Sequence, residues 1–290
     1  MHEHIVTDLR AFEERRPGDY DSREAFATAR PFLDSLRRAR CETLVEPTPM
    51  HVGRDPTTLK RLSDATGIKI VCATGIYGAA NQKFIPDYAR SETAGSLADR
   101  YVLEIREGIG TTKIRPGIIK TGVNREDPLP SIERKVVSAA LLAHKSTGLT
   151  VATHTPGGAQ ASSQLSIAGE LGVDPSRMIW VHAQNERNQE IHRQLAAEGV
   201  WVEFDGLGER SSEWHLSCVL AMAESGYLNR TLISHDAGWY RPGAEGGAKY
   251  RGYTFAFDDF LPRLREAGFS QTEIHQLLVE NPAAALTGAT

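Results

Sequence analysis

The sequence has little cysteine, no excess of basic residues and no long apolar run. Its three cysteines, Cys41, Cys72 and Cys218, are scattered and odd in number, so we expect buried thiols in a reducing compartment and not a disulfide framework or a zinc cage. The 33 basic and 37 acidic residues give a net charge of −4. Such a balance offers no field for nucleic acid or an anionic membrane, so we expect a small-molecule partner.

Signals for membranes and export are also missing. The apolar stretch at 68–76 is interrupted by Lys69, and it is far shorter than the ~18 residues that a membrane span requires. The opening Met-His-Glu-His has no basic region followed by an apolar core, so it does not resemble a signal peptide. These features predict a cytoplasmic protein without membrane association.

What the sequence does contain is an alternation of short β-rich runs and helical segments. The runs are Ile5–Val6, Thr43–Glu46, Ile68–Ile76, Gly117–Val123, Leu149–Thr155, Met178–His182, Val200–Phe204 and Thr231–Ser234. Helical spacing at 132–143 predicts a helix that ends before Gly148, and the segment 188–198 predicts one that ends at Gly199. A capping box at 270–273 opens a further helix, which we expect the Asn281-Pro282 pair to end.

Strand and helix alternation without a linker predicts a parallel sheet covered by helices. Eight units give about 36 residues each, a little above the ~31 of a minimal eightfold barrel. A doubly wound open sheet is the alternative, but no GxGxxG motif opens a helix after the first strand. The sequence therefore favours an α/β fold, a single-domain (β/α)8 TIM barrel over residues 1–290.

Metal-ligating residue types end five of the predicted strands, where a barrel places its active site. They are His2 and His4 on the first, Lys120 on the fourth, His154 on the fifth, His182 on the sixth and Asp236 after the eighth. The strand spacing of His2 and His4 turns both rings to one face, the barrel interior. Four imidazoles and a carboxylate suit Zn, Co, Mn or Fe better than Mg or Ca.

Lys120 does not fit a metal site as an ammonium. It fits if burial deprotonates its amine and the amine adds carbon dioxide, which makes it a carboxylate in effect. Alone, Lys120 also suits a Schiff-base lyase, and each histidine or aspartate alone has an ordinary structural explanation. The complete set favours a metal site.

The ordered series of motifs resembles the phosphotriesterase family of the amidohydrolase superfamily, and most of all its phosphotriesterase-like lactonases. The series is His-Glu-His, Gly-Ile-Ile-Lys-Thr-Gly, Thr-His-Thr, Val-His-Ala and Ser-His-Asp. The resemblance implies two divalent ions, zinc above all, with Co, Mn or Fe as alternatives. By the same resemblance, one ion is held by His2, His4 and Asp236 and the other by His154 and His182, bridged by N6-carboxylated Lys120 and a hydroxide, with Asp236 accepting the hydroxide proton.

The match departs from the family in three places. The chain starts one residue before His2, so we expect a shortened first strand with His2 at a frayed end and the buried metal position in doubt. Asn185 stands where phosphotriesterases carry an aspartate, and the segment 203–208 lacks both the relay histidine of the phosphotriesterases and the arginine of some lactonases. These departures argue against an efficient phosphotriesterase.

Four residues are expected near the substrate. Tyr77 belongs to a Thr-Gly-Ile-Tyr segment that resembles the third strand of the lactonases, and Asp205 is expected to support a ligand or contact substrate. Trp239 and Tyr240 lie in a glycine-rich stretch, 237–253, which is typical of a mobile lid or of a disordered surface loop. His235 neighbours Asp236 but points to the opposite side, so we do not expect it to be a ligand.

These features give four hypotheses. The first is a metal-dependent hydrolase of lactones or related esters, and the second is hydrolysis of a phosphotriester or amide by the same centre. The third is a Schiff-base lyase that uses Lys120, and the fourth is a non-catalytic ligand-binding barrel. Family members are often dimers, so a homodimer is expected by analogy only.

Overall fold

A seven-stranded parallel sheet forms the centre of the protein in a computed structural model that describes residues 1–288. The strands are β1 Thr43–Glu46, β2 Lys69–Thr74, β3 Ile118–Gly122, β4 Val151–His154, β5 Met178–Val181, β6 Trp201–Phe204 and β7 Thr231–Ile233. They neighbour one another in chain order and every pair is parallel. This order excludes the doubly wound alternative, in which the strand order reverses within the sheet.

Helices follow the strands and cover the sheet. They are α1 Ser22–Arg38, α2 Pro56–Thr66, α3 Asp87–Ser91, α4 Ala94–Glu107, α5 Ser131–Thr147, α6 Gly158–Leu171, α7 Gln189–Ala197, α8 Ser212–Glu224, α9 Leu261–Glu266, α10 Gln271–His275 and α11 Asn281–Thr287. Two π turns, Ala256–Phe260 and Gln276–Glu280, continue directly into α9 and α11. Within residues 1–288, no helix has the length and apolar character that crossing a membrane requires.

Local sequence signals account for the ends of these helices. Helix α5 ends at Gly148, which takes the left-handed conformation at φ 77°. The Asn188 side chain accepts from the Glu190 N–H at the start of α7. Ser270 and Glu273 form the predicted capping box of α10. These predictions are confirmed.

The expected helix end at Asn281-Pro282 is wrong, because the helix continues through the proline. The preceding turn, Gln276–Glu280, is a π turn, and the Asn281 N–H bonds to the Gln276 carbonyl five residues back. This wider turn accommodates Pro282, which has no N–H to donate. The Asn281 side chain then anchors the helix, since its Nδ2 donates to the carbonyls of Leu228 and Thr231 at 2.7 Å each.

Seven of the eight predicted strands are confirmed, and the first, Ile5–Val6, is not a regular strand. Only Val6 pairs, in an isolated bridge with Tyr240. The segment 2–8 nevertheless bonds to both edges of the sheet. The Glu3 N–H donates to the Val45 carbonyl in β1 at 3.0 Å, and beyond β7 the Asp236 N–H donates to the His2 carbonyl at 3.0 Å.

His2 is therefore not at a frayed end. It is 3% exposed, and the next residues continue the bonding on both sides. His4 donates its N–H to the Ala237 carbonyl at 2.8 Å, and the Ile5 N–H donates to Glu46 Oε1 at 3.1 Å. The expectation of a frayed terminus is wrong, because β1 on one side and the segment after β7 on the other hold the first residues in place.

Glu3 adds a side-chain lock to the same segment. Its Oε1 accepts from His235 Nδ1 at 2.6 Å and from the His235 N–H at 3.0 Å, while Oε2 accepts from the Ala237 N–H at 3.0 Å. Burial alone would raise the pKa of Glu3, but the adjacent His235 outweighs it and lowers the pKa below 4.5. Glu3 is thus an ionised, buried carboxylate that ties the first residues to the loop after β7.

Replacing Glu3 with glutamine should destabilise the fold. In Glu3→Gln an amide N–H₂ must face a backbone or imidazole N–H, which leaves a buried donor unsatisfied and costs about 1–3 kcal/mol. Urea unfolding of the metal-free protein measures this loss. The exposed Glu42→Gln change is the matched control, and equal free energies of unfolding for the two variants would contradict the assigned lock.

Candidate metal centre

The predicted ligands meet at one end of the sheet, although they come from distant parts of the chain. Lys120 lies within β3 and His154 ends β4, while His182 directly follows β5 and Asp236 lies three residues beyond β7. Together with His2 and His4 they line a cavity of about 360 Å³. This volume is within the usual range for small-molecule sites, roughly 300–1,000 Å³.

The first group of donor atoms consists of His2, His4 and Asp236. The two Nε2 atoms lie 3.1 Å apart, and His4 Nε2 lies 3.3 Å from Asp236 Oδ1. The Nδ1 of His4 is held at 2.6 Å by Thr48 Oγ1, so its Nε2 is the nitrogen turned to the group. Within the described residues Asp236 Oδ1 is buried without a hydrogen-bond partner. A buried carboxylate oxygen without a donor, beside two imidazole nitrogens, fits a cation.

The second pair, His154 and His182, lies beside the first group. Their ring centroids are 4.4 Å apart, and the His182 ring is 5.4 Å from that of His2. His182 Nδ1 is 2.7 Å from Asp205 Oδ1, and the His182 N–H donates to Asp205 Oδ2 at 3.0 Å. This double contact fixes the ring and leaves Nε2 as the nitrogen available to a ligand.

Lys120 is between these groups and 2% exposed. Its Nζ lies 3.5 Å from His2 Nε2. Burial lowers the pKa of Lys120 below 10.5, although Glu203, Asp205 and Asp236 act in the opposite direction. The amine is therefore more readily neutral than that of an exposed lysine, which carboxylation by carbon dioxide requires.

The protonation states of His2, His154 and Asp236 suit a metal, whereas Asp205 outweighs burial at His182 and raises its pKa above 6.5. Burial, with the charge of Lys120, lowers the pKa of His2 to about 3, and burial together with His182 holds the pKa of His154 well below 6.5. Burial would raise the pKa of Asp236, but the adjacent His4 and the charges of other nearby histidines outweigh it and lower the pKa to about 2. Neutral imidazoles and an ionised carboxylate are the forms that bind cations, so the residues present fit the two ions of the resemblance.

Two buried carboxylates, Glu203 in β6 and Asp205 directly after it, lie beside the candidate ligands. Asp205 holds His182, lies 3.4 Å from His2 Nδ1, and also accepts from Gln184 Nε2 at 2.6 Å. Burial, with the charge of Asp205, raises the pKa of its neighbour Glu203 to about 7. Glu203 Oε1 accepts from Ser234 Oγ at 3.0 Å. Asp205 is thus a positioning residue, 1% exposed, and it does not line the cavity.

The backbone around Asp236 is held by contacts that the sequence analysis missed. Glu3 bonds the amides on either side of it, and Arg251 donates to the carbonyls of His235 and Asp236. Asp236 itself takes the left-handed conformation at φ 50°. Gly238 passes so close to the first segment that a Cβ would lie 1.8 Å from the His4 carbonyl oxygen. The sequence signal for these contacts is Glu3, an acidic residue between His2 and His4 in one extended segment.

His235 is occupied by the protein on both ring nitrogens. Nδ1 contacts Glu3, and Nε2 accepts from the Ala256 N–H at 2.9 Å. It has no nitrogen to offer a metal, in agreement with the sequence-based expectation.

Two of the four expected substrate residues reach the cavity and two do not. Tyr77 and Trp239 line it; the Tyr77 ring lies 5.3 Å from that of His154, and the Trp239 ring lies 5.4 Å from that of His4. Tyr240 is 2% exposed and its ring lies against Gly247, because the backbone turns at Trp239. The structure therefore does not bring Tyr240 to the cavity, and it places Asp205 behind His182.

Loss of the Asp205 carboxylate should weaken metal binding. In Asp205→Asn one oxygen becomes an N–H₂ group that cannot accept from His182, so the ring loses its fixed orientation, and we expect affinity to fall about 10–100-fold. Competition with a chromophoric chelator measures this affinity. The exposed Asp64→Asn change is the matched control; equal affinities in the two variants, with intact circular dichroism, would contradict the positioning role.

Comparison with known proteins agrees with this arrangement. The phosphotriesterase family profile matches residues 1–286. The phosphotriesterase homology protein of Escherichia coli (strain K12) is 31% identical over 286 residues, covering 97% of this chain and 95% of that protein. The aryldialkylphosphatase of Saccharolobus solfataricus is 28% identical over 300 residues, covering 97% and 92%.

The structural comparison agrees with the sequence comparison. A mutant of the PTE-like lactonase of Deinococcus radiodurans superposes with a TM-score of 0.87 at 30% identity, covering 98% of this chain and 94% of that one. Members of the matching family are metal-dependent hydrolases. With its family profile matched over nearly the whole length, this chain belongs to the phosphotriesterase family.

Proposed function

We propose that this protein is a binuclear metal-dependent hydrolase of lactones or related esters. The observation that carries the proposal is the convergence of His2, His4, Lys120, His154, His182 and Asp236 on one cavity. His2, His4 and Asp236 would hold one ion, His154 and His182 the other, and carboxylated Lys120 would bridge them. When bound, the two ions lower the pKa of the water between them and polarise the substrate carbonyl.

The scaffold of this proposal is a closed (β/α)8 barrel. Residues 2–8 bond to β1 on one side and to the segment after β7 on the other, which is the position of a first strand. We infer that this segment closes the barrel and that the described residues form one domain. The cavity then lies where active sites of such barrels lie, at the carboxyl ends of the strands.

Asp236 is the residue proposed to move the proton. It is ionised and its side chain lines the cavity. The water oxygen forms a bond to the carbonyl carbon, Asp236 accepts the water proton, and the ring C–O bond breaks. The departing ring oxygen gains a proton, so the product is a hydroxy acid and the carboxylate of Asp236 is restored.

Tyr77 is proposed to orient the substrate carbonyl or leaving oxygen. Burial raises the pKa of its hydroxyl above 10, so it stays protonated and remains a donor. No side chain in the described part of the chain bonds to this hydroxyl, and the ring lines the cavity beside His154. The likeness to a PTE-like lactonase supports lactones as the substrate class.

Metal content tests the proposed centre independently of turnover. Elemental analysis should find about two ions per chain, falling towards one in Lys120→Ala because the bridging ligand is lost. The exposed Lys113→Ala change should retain the wild-type content. Chelation should abolish lactone hydrolysis, and Zn, Co or Mn should restore it. Full activity in a sample shown to be metal-free would refute the mechanism.

A substrate panel tests the proposed class. We expect the highest kcat/KM for a lactone, lower values for a matched open-chain ester, and the lowest for a phosphotriester and an amide. The reason is the protonated Tyr77 donor beside His154, together with Asn185 in place of the carboxylate expected of a phosphotriesterase. A Tyr77→Phe variant should lose lactone activity about tenfold, the value of one hydrogen bond in the transition state. A phosphotriester hydrolysed faster than every lactone would reverse the assignment.

A further inference from the structure

The outer part of the cavity is rich in positive charge, although the chain as a whole carries −4. Its cationic residues are Arg210, Arg241, Lys249 and Arg251, and we call these four the cationic rim. Arg210, Arg241 and Lys249 are exposed and Arg251 is half-buried, whereas the ligands at the cavity floor are mostly buried. Among the residues that the structure describes, Glu209 is the only acidic one lining this outer part.

Glu209 neutralises one of the four cations. Its carboxylate accepts from the Arg251 guanidinium, whose other nitrogen is bound to the carbonyls of His235 and Asp236. Arg251 is therefore engaged by the protein and holds the loop around a metal ligand.

The other three cations have no acidic partner within residues 1–288. Arg210 donates to Asn185 Oδ1 at 2.7 Å, the Arg241 guanidinium stacks over the Trp239 ring at 5.6 Å, and no bond engages the Lys249 ammonium. Three unpaired positive charges at the mouth of the cavity repel one another, which lowers the stability of the folded protein. Around an active-site cleft such a field attracts and orients an anion.

Trp239 connects the rim to the floor of the cavity. The Trp239 ring contacts His4, with ring centroids 5.4 Å apart, and it also contacts the guanidinium of Arg241. The rest of the wall is mixed: it combines the apolar Leu9, Pro49 and Val52 and the Tyr77 ring with the polar Thr7 and Asn185. Trp239 thus lies between a candidate metal ligand, His4, and a cation of the rim, Arg241, which gives the order from floor to rim.

From this order we propose that the substrate carries an anionic group, a carboxylate, sulfonate or phosphate, at the end remote from the bond that is hydrolysed. Arg210, Arg241 and Lys249 bind that group, Trp239 packs against the middle of the molecule, and the carbonyl lies at the metal centre. The inference rests on the proposed hydrolase function and specifies its substrate class.

The test compares two lactones that differ only in charge, butyrolactone carboxylate and butyrolactone carboxamide. The metal-loaded protein should have a kcat/KM at least about tenfold higher for the carboxylate, a modest value for a charge-assisted contact. Added sodium chloride should reduce kcat/KM for the carboxylate more than for the carboxamide.

The double variant Arg241→Gln/Lys249→Gln removes two of the unpaired charges. It should bring the ratio of the two kcat/KM values towards one. The matched control, Lys60→Gln/Lys113→Gln, makes the same charge change on exposed residues outside the cavity and should keep the wild-type ratio. A high ratio that survives in the rim variant would overturn the assignment to these residues, and a wild-type ratio of one or below would overturn the anionic substrate while leaving the hydrolase in place.

Binding separates this inference from failure of the hydrolase proposal. If neither lactone is hydrolysed, calorimetry with pyroglutamate and its neutral carboxamide still tests the rim. Tighter binding of pyroglutamate that is lost in the rim variant but kept in the control supports the anion site. Equal binding of the two compounds to the wild-type protein refutes it.

Discussion

The bonds that hold residues 2–8 between the two edges of the sheet are the constraint on which the site depends. Backbone bonds to Val45 on one side and to residues 236–237 on the other leave little freedom for the side chains in between. Because successive residues of an extended segment face opposite ways, His2 and His4 turn towards the cavity while Glu3 turns to the loop after β7. One segment therefore supplies two of the candidate ligands and also fixes the backbone around a third, Asp236.

Burying so many ionisable groups at one place is unfavourable unless each has a partner of opposite charge or a metal. Asp205 finds such a partner in His182, with His2 close by, and its pKa is held well below 3.8 despite burial. Glu203 finds fewer, and its pKa rises to about 7. Two cations between these groups would compensate the remaining carboxylate charge, the more so if Lys120 becomes an anionic carbamate. The proposed metal centre thus accounts for the buried polar atoms that have no partner in the protein, such as Asp236 Oδ1.

Sequence patterns predicted seven strands and most helix ends because those depend on local apolar spacing and capping residues. They also predicted that the six candidate ligands would lie close together, because residues at the ends of neighbouring parallel strands meet at one edge of the sheet. They failed where the cause was not local: the first segment pairs through residues far away in sequence, and a π turn carries the last helix through Pro282. The direction of Tyr240 depends on a backbone turn, Trp239 at φ 75°, that composition does not reveal. The role of Glu3 required its partner His235 to be known.

The cationic rim could not be predicted from the sequence for the same physical reason. The floor and the rim of the cavity come from different parts of the fold. The floor of the cavity comes from strand ends, whose mutual positions follow from the sheet. The rim comes from loops at 205–211 and 237–251, where side chains meet only after the chain has folded. Loops tolerate substitution because they bear little of the core packing. In the proposed hydrolase, the reaction type therefore depends on side chains held by the sheet, whereas the charge of the preferred substrate depends on rim residues such as Arg241, which the sheet does not constrain.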